Sequence, residues 1–151
     1  MSEYKLTQEI IERSQSKMWD AAKLEWSLHQ IYEADEPETC LCGHFPIIEI
    51  CVLKNKHNQK FATVGNCCVK KFIGLPSDLI FKAVKRVRKD NQKSLNAEAI
   101  EHAFRKGWIN EWEYSFSIDT MRKRVLSAKQ LQTRMKVNEK MLNNMRKSND
   151  G

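Results

Sequence analysis

Apolar positions recur at three- and four-residue spacing from Thr7 to about Glu33, where Ile10, Ser14, Met18, Ala21, Leu24, Leu28 and Ile31 fall on one side of a helix. Thr7 stands where an N-cap is needed, and Pro37 lies beyond the far end. The pattern predicts one long amphipathic helix of about 27 residues within positions 1–36, long enough to cross a domain or to pair with a second copy as a homodimer. The acidic cluster Asp35, Glu36 and Glu38 then marks a loop.

From Pro46 the rhythm changes. "PIIEICVLKN" is rich in β-branched residues, "NKHNQ" is a polar tip, and "KFATVG" completes the signature of a two-stranded hairpin closed by Gly65 and Asn66. A short helix beginning near Cys67 or Cys68 carries Val69, Phe72 and Ile73 inward until Gly74 and Pro76. Ser77 caps a further helix with Leu79, Ile80, Ala83, Val84 and Val87 as its apolar stripe. Asn96 caps "AEAIEHAFRKG", which Gly107 ends, and Trp108, Trp112 and Phe116 step by four along the next segment as expected core. Ser127 and Gln130 form a capping box, after which Ala128, Leu131, Met135, Asn138, Leu142 and Met145 trace a heptad-like seam.

These elements predict a mainly helical α+β fold in a single domain over 1–151: the long helix in 1–36, a hairpin module in 38–75, and a C-terminal helical bundle in 77–147. Only 5 glycines and 3 prolines leave little for flexible linkers. No stretch approaches the roughly 20 apolar residues of a spanning helix, and the charged opening "MSEYKLTQEIIERS" is unlike a signal peptide. The expected location is cytoplasmic, with no membrane partner.

Five cysteines, four of them between positions 40 and 68, suit a reducing compartment in which thiols go to a metal rather than to disulfides. "TCLCGHF" offers two thiols and an imidazole within five residues, and Cys67 and Cys68 follow the hairpin. Zinc takes four such ligands in a tetrahedron, so the expected site is Cys40, Cys42, His44 and one of Cys67 and Cys68. Gly43 supplies the backbone freedom the tight turn needs, and a helix start favours thiolate at the second group. Adjacent cysteines in a first helical turn point roughly 100° apart, so only one of Cys67 and Cys68 ligates. His29 and His102 remain alternatives to His44, whereas Cys51 reads as a core side chain. Knuckle, hairpin and helix-borne ligand follow the order of a treble clef, with its usual C-x-x-C pairs compressed.

"CLCGH", the strand ending at Asn55, and "VGNCCVKKF" resemble a compact zinc module of uncharacterised phage and prophage proteins, with the pattern C-x-C-G-[H/K], a short hairpin, then V-G-x-x-C-[V/I]-x-[K/R]-F. On this pattern Cys40, Cys42 and Cys68 match its cysteines. Cys67 falls where no thiol is required, and His44 where Lys also occurs. The likeness covers the hairpin module and implies no activity. "EWEYSFSIDTMRKRVLSAKQ" is similar to a helical tail of phage-encoded DNA-metabolism proteins.

Net charge is +7 and unevenly spread. Residues 1–39 hold four basic and nine acidic side chains, whereas residues 40–93 hold eleven basic and three acidic. Lys70, Lys71, Lys82, Lys85, Arg86, Arg88 and Lys89 lie on or beside the helix after the metal motif, which points to DNA or RNA as partner through phosphate contacts. A host protein, met by an adaptor or inhibitor, is the alternative. Catalysis has the weakest support: the nearest acids to the motif are Glu38 and Glu49, and no phosphate loop or nucleophile elbow is present.

Overall fold

Helix α1 (Glu3–Arg13) opens the chain, capped by the Ser2 hydroxyl, which accepts the Lys5 N–H, rather than by Thr7. The computed structural model describes residues 2–147. After α1 comes one turn of helix, α2 (Trp19–Ala22), a 3₁₀ turn at Lys23–Glu25, and a 13-residue strand, β1 (Trp26–Glu38). The expected long helix is therefore replaced by a helix and a strand, and the homodimer seam it offered is gone. The acidic cluster lies within the strand.

The physical reason lies in partners distant along the chain. Ser14 ends α1 by donating its hydroxyl to the Ile10 carbonyl at 2.6 Å, and it accepts the Trp26 indole N–H at 2.9 Å. The buried Glu25 carboxylate takes the amides of Gln15 and Ser16, each at 2.8 Å, and the Asn55 side-chain N–H at 2.9 Å. Four backbone and side-chain groups are thus satisfied outside any helix. Met18 and Leu24, placed on the helical stripe by their spacing, are 73% and 70% exposed.

Strands β1, β2 (Ile47–Asn55) and β3 (Phe61–Gly65) form an antiparallel sheet in the order β1-β2-β3. The β1–β2 register runs from Trp26 against Asn55 to Glu38 against Ile47, with irregularities between Leu28 and Gln30 and between Glu33 and Glu38. The first of these sets Leu28 and Ile31, three residues apart, opposite Leu53 and Cys51 on one face of the sheet, a helical spacing produced by a bulged strand. The β2–β3 hairpin matches its sequence signature. Asn55 holds its tip, accepting the amides of His57 and Asn58 at 2.8 and 3.2 Å. Cys51 is fully buried mid-strand, as its alternating context predicts.

Helix α3 (Asn66–Cys68) runs directly into a π-helical turn, Val69–Ile73, that ends at Gly74 with φ +82°. Four helices follow: α4 (Ser77–Lys89), α5 (Ala97–Arg105), α6 (Glu111–Thr120) and α7 (Ala128–Asn144). The caps at Asn96 and the box at Ser127 and Gln130 form as expected, and Asn110 with Glu113 makes a second box.

Three side-chain assignments differ from the periodic reading. On α4 Leu79 is exposed and Phe81 is buried with Ile80, Ala83, Val84 and Val87. On α6 Trp112 is 64% exposed and stacks on Phe116, while Glu113, Ser117 and Thr120 take the inward positions. The α7 seam is turned by about one residue and buries Arg134, Val137, Asn138 and Met141. On α6 and α7 a polar group with a dedicated hydrogen-bond partner occupies the inner face: Lys140 for Glu113 at 2.7 Å, and loop carbonyls for Arg134 and Asn138.

The chain divides into two compact units, one running up to Asp78 with Arg146 and Lys147, the other Leu79–Met145. The first contains the sheet and the cysteines, and the second nearly all of the four helices. Among the described residues no helix is long and apolar enough to cross a membrane.

Glu25→Ala removes the acceptor of three hydrogen bonds and is expected to lower stability by about 2 kcal/mol or more, read as a thermal melt falling by about 5 °C. Burial alone would raise the Glu25 pKa, but the bonds from Asn55, Ser16 and Gln15 outweigh it and hold it below the usual 4.5. Its contribution is therefore full above about pH 4.5 and fades as pH falls through the lowered value. Melts of wild type and Glu25→Gln should converge as pH falls below that value, and a gap constant with pH would contradict this assignment.

Candidate metal centre

Cys40 follows β1, and the turn after it is a tight knuckle. The Gly43 amide donates to the Cys40 carbonyl at 2.8 Å, and the Cys40 amide donates to the His44 carbonyl at 2.9 Å. Gly43 sits at φ +92°, where a side chain is strained, so the glycine has the role its sequence position suggested. Leu41 anchors the knuckle to the sheet by donating its N–H to the Thr63 carbonyl at 3.1 Å. At the far end of the hairpin α3 presents Cys68.

The three buried sulfurs of Cys40, Cys42 and Cys68 lie within 4.8 Å of one another. Those of Cys40 and Cys68 are 3.7 Å apart. A disulfide needs about 2.05 Å. A tetrahedral ion with metal–sulfur bonds near 2.3 Å spaces its sulfurs by about 3.8 Å, so the three sulfurs could hold a metal ion. Two backbone amides also point at sulfur: Gly65 N–H to Cys40 at 3.3 Å and His44 N–H to Cys42 at 3.4 Å. Such N–H···S contacts favour the thiolate that a metal requires.

The electrostatics agree. Contact with Cys68, opposed by burial and aided by the Gly65 amide, draws the Cys40 thiol down to about 5. The same contact, with burial, pushes Cys68 up. One proton shared between two sulfurs is the state that a cation displaces.

Of the four expected ligands, the structure brings the three cysteines together. His44 is exposed and its ring stands outside the sulfur cluster, although its backbone is bonded to both knuckle cysteines and it lines the same cleft as Cys40 and Cys68. Cys67 is exposed and Cys68 buried, the divergence expected of adjacent residues in a helical turn. Neither alternative histidine joins the cluster. His29, on β1 rather than a helix, packs its ring on Phe61 at 5.0 Å, and His102 is buried in the second unit edge-on to Trp108. Burial pulls His102 down to about 4, helped by Arg105 and Lys106.

The cleft beside the sulfurs has a volume of about 440 Å³ and is walled by Pro46, Ile47, Ile48, Glu49, Asn66 and Cys67 as well. Glu49 is held there by the Asn66 side-chain N–H at 3.0 Å, and Asn66 accepts the Ser77 hydroxyl at 2.7 Å. Sequence reasoning read Asn66 as the close of the hairpin and Ser77 as a helix cap, without joining them to the cleft. Their signal was present as a polar residue at each of two consecutive helix starts, but only folding shows that they bond to each other. Glu38 accepts the Tyr32 hydroxyl at 2.9 Å and lies near Lys147, which makes it part of the strand's packing.

The seven expected phosphate-binding cations are all exposed, but Lys70 and Lys71 belong to the first unit and Lys82, Lys85, Arg86, Arg88 and Lys89 to the second. Lys70 is paired with Asp78 at 3.4 Å.

In metal-free protein a thiol reagent should modify Cys67 first, and Cys67→Ser should abolish that fast phase. Cys51 should react only on unfolding, because burial, with Glu49 and Cys40 adding to it against the Ser77 hydroxyl, pushes it up to about 12. A fast phase surviving in Cys67→Ser would refute this ordering. Compared with family models, curated proteins and solved structures, the chain matches none.

Proposed function

We propose that the chain is a zinc-stabilised nucleic-acid-binding protein of phage and prophage type, cytoplasmic and non-catalytic. The observation that carries the metal half is the buried triangle of sulfurs with a 3.7 Å edge, served by two amide donors. Zinc fits soft thiolates in this spacing, and His44 is the fourth ligand, reached by rotation of an exposed side chain on a fixed backbone. Four protein ligands leave the ion no open position, so its role is to hold the treble-clef-like knuckle, hairpin and helix together. Bound there, zinc supplies cross-linking and charge neutralisation.

The nucleic-acid half rests on α4, whose polar face carries five exposed cations while the opposite face is buried. A helix of this kind binds phosphates with a strong salt dependence and little sequence information. The resemblance of the cysteine module to phage proteins supplies the context.

One observation favours a second reading, an adaptor or inhibitor binding a host protein. Ile48, which lines the cleft beside the sulfurs, is 43% exposed, and Phe45, between the lining residues His44 and Pro46 in sequence, is 60% exposed. Recovery of a partner after nuclease treatment would select this reading.

Elemental analysis of purified protein should find one zinc per chain, retained by Cys67→Ser and lost by Cys68→Ser. Chelation should lower the thermal midpoint by about 10 °C or more, since metal-binding free energy is folding free energy at such a site. Fluorescence anisotropy with single- and double-stranded oligonucleotides should show binding that weakens log-linearly with salt. Protein without metal and with an unchanged melt would end the zinc assignment, and no binding at 50 mM salt would end the nucleic-acid one.

A further inference from the structure

The second unit contains a cleft of about 600 Å³ that the cysteine site and the α4 face leave unexplained. Six cationic side chains line it, Arg86, Lys93, Arg122, Lys123, Arg124 and Arg134, against the single carboxylate of Asp90. That carboxylate is engaged by its own loop, accepting the Gln92 amide at 3.0 Å. Among the described residues none of the six cations is in an ion pair.

The cleft is built rather than incidental. Arg134, nine-tenths buried on α7, donates to the carbonyls of Thr120 at 2.6 Å, Lys123 at 3.5 Å and Gln92 at 3.3 Å. One turn further along α7, Asn138 donates to the carbonyls of Asn91 and Lys93, both at 2.8 Å. The loop after α4 and the loop after α6 are thus fixed to one face of α7, and both present cations to the space between. Arg134 makes three hydrogen bonds of the five its guanidinium offers, all to backbone carbonyls, and no carboxylate pairs with it among the described residues. A buried guanidinium with no carboxylate partner is costly unless an anion joins it. Burial, and then the charge of Arg86, bring the Arg134 pKa below its ordinary value.

From this arrangement we infer that the cleft is a phosphate-binding site, taking a ligand with several closely spaced phosphate groups. Four of the six cations are arginines, whose planar forks match phosphate oxygens. No aromatic side chain lines the cleft, so it holds phosphates and does not stack bases. Arg86 belongs both to the cleft and to the exposed face of α4, so the positive track continues from one to the other. The ligand's phosphates come either from a nucleic-acid backbone, in which case the inference deepens the function proposed above, or from a free polyphosphate chain.

The test uses the full-length protein, with inorganic tripolyphosphate in calorimetry and labelled 20-mer DNA and RNA in anisotropy over a salt series. Arg122→Ala with Arg124→Ala alters exposed loop residues that hold no part of the fold, and Lys82→Ala with Lys89→Ala is the control on α4 outside the cleft. The arginine pair should weaken tripolyphosphate at least tenfold and reduce the oligonucleotide salt slope by about 2, while the lysine pair leaves tripolyphosphate unchanged. Tripolyphosphate binding that depends on the arginines, with no oligonucleotide binding, would support the cleft and assign it to a free polyphosphate while removing the nucleic-acid reading. The inference is overturned if the arginine pair binds tripolyphosphate as wild type does, if wild type does not bind it, or if poly-L-glutamate displaces it equally well. Oligonucleotide binding lost only in the lysine pair, with tripolyphosphate binding unchanged in the arginine pair, would overturn the cleft and leave the nucleic-acid reading standing.

Discussion

The convergence of Cys40, Cys42 and Cys68 is the constraint on which the first unit depends, because it joins the end of β1 to the start of α3 across 28 residues of chain. The knuckle itself is held by few backbone hydrogen bonds: two within the turn and one from Leu41 to β3. A segment so short has little apolar surface to bury, and small modules of this kind stay folded through a staple rather than a core. Three sulfurs close enough to hold one ion, with amides directed at two of them, would form such a staple with a cation in place of their protons. Gly65 shows how closely the sheet is drawn to the site, since a side chain there would come within 3.1 Å of Ile47.

Elsewhere in the same unit the organising groups are also polar. Glu25 collects the break after α1, and its partner Asn55 holds the hairpin tip, so one carboxylate and one amide connect the N-terminal segment to the sheet. Asn66 and Ser77 repeat the device between α3 and the start of α4. Each group is buried, and each has its hydrogen bonds answered, which fixes register in a way that apolar packing alone does not. In the second unit Arg134 and Asn138 do for two loops what Glu25 does for the N-terminal segment. There the organising charge is positive and faces a cleft rather than a closed interior, which gives it a chemical meaning beyond architecture.

The legibility of these features in the sequence varied with their range. The hairpin was plain from β-branched runs around a polar tip, and the caps at Asn96 and Ser127 from local spacing, because all of these are settled within a few residues. The long helix failed because Leu28 and Ile31, three apart, share one face of a strand across a bulge, and the bulge counterfeits helical periodicity. Trp112 failed for a different reason. Hydrophobicity placed it inward, but the ion pair between Glu113 and Lys140 claims that face of α6 and turns the tryptophan out against Phe116. The cationic cleft was invisible because its six side chains come from three separate stretches of chain, only one of which had been read as a binding face.

The sequence by itself determined the chemistry: which residues are thiols, how the turn at Gly43 can fold, where helices are capped, and how strongly positive the chain is beyond its first 39 residues. These are local properties, fixed by the intrinsic preferences of a residue and its near neighbours. Tertiary structure alone decided that β1 is a strand, that Cys68 and not Cys67 meets the knuckle, and that Arg134 is buried between two loops. Each of those outcomes depends on a partner at least ten residues away, whose contribution comes only after the chain has closed on itself.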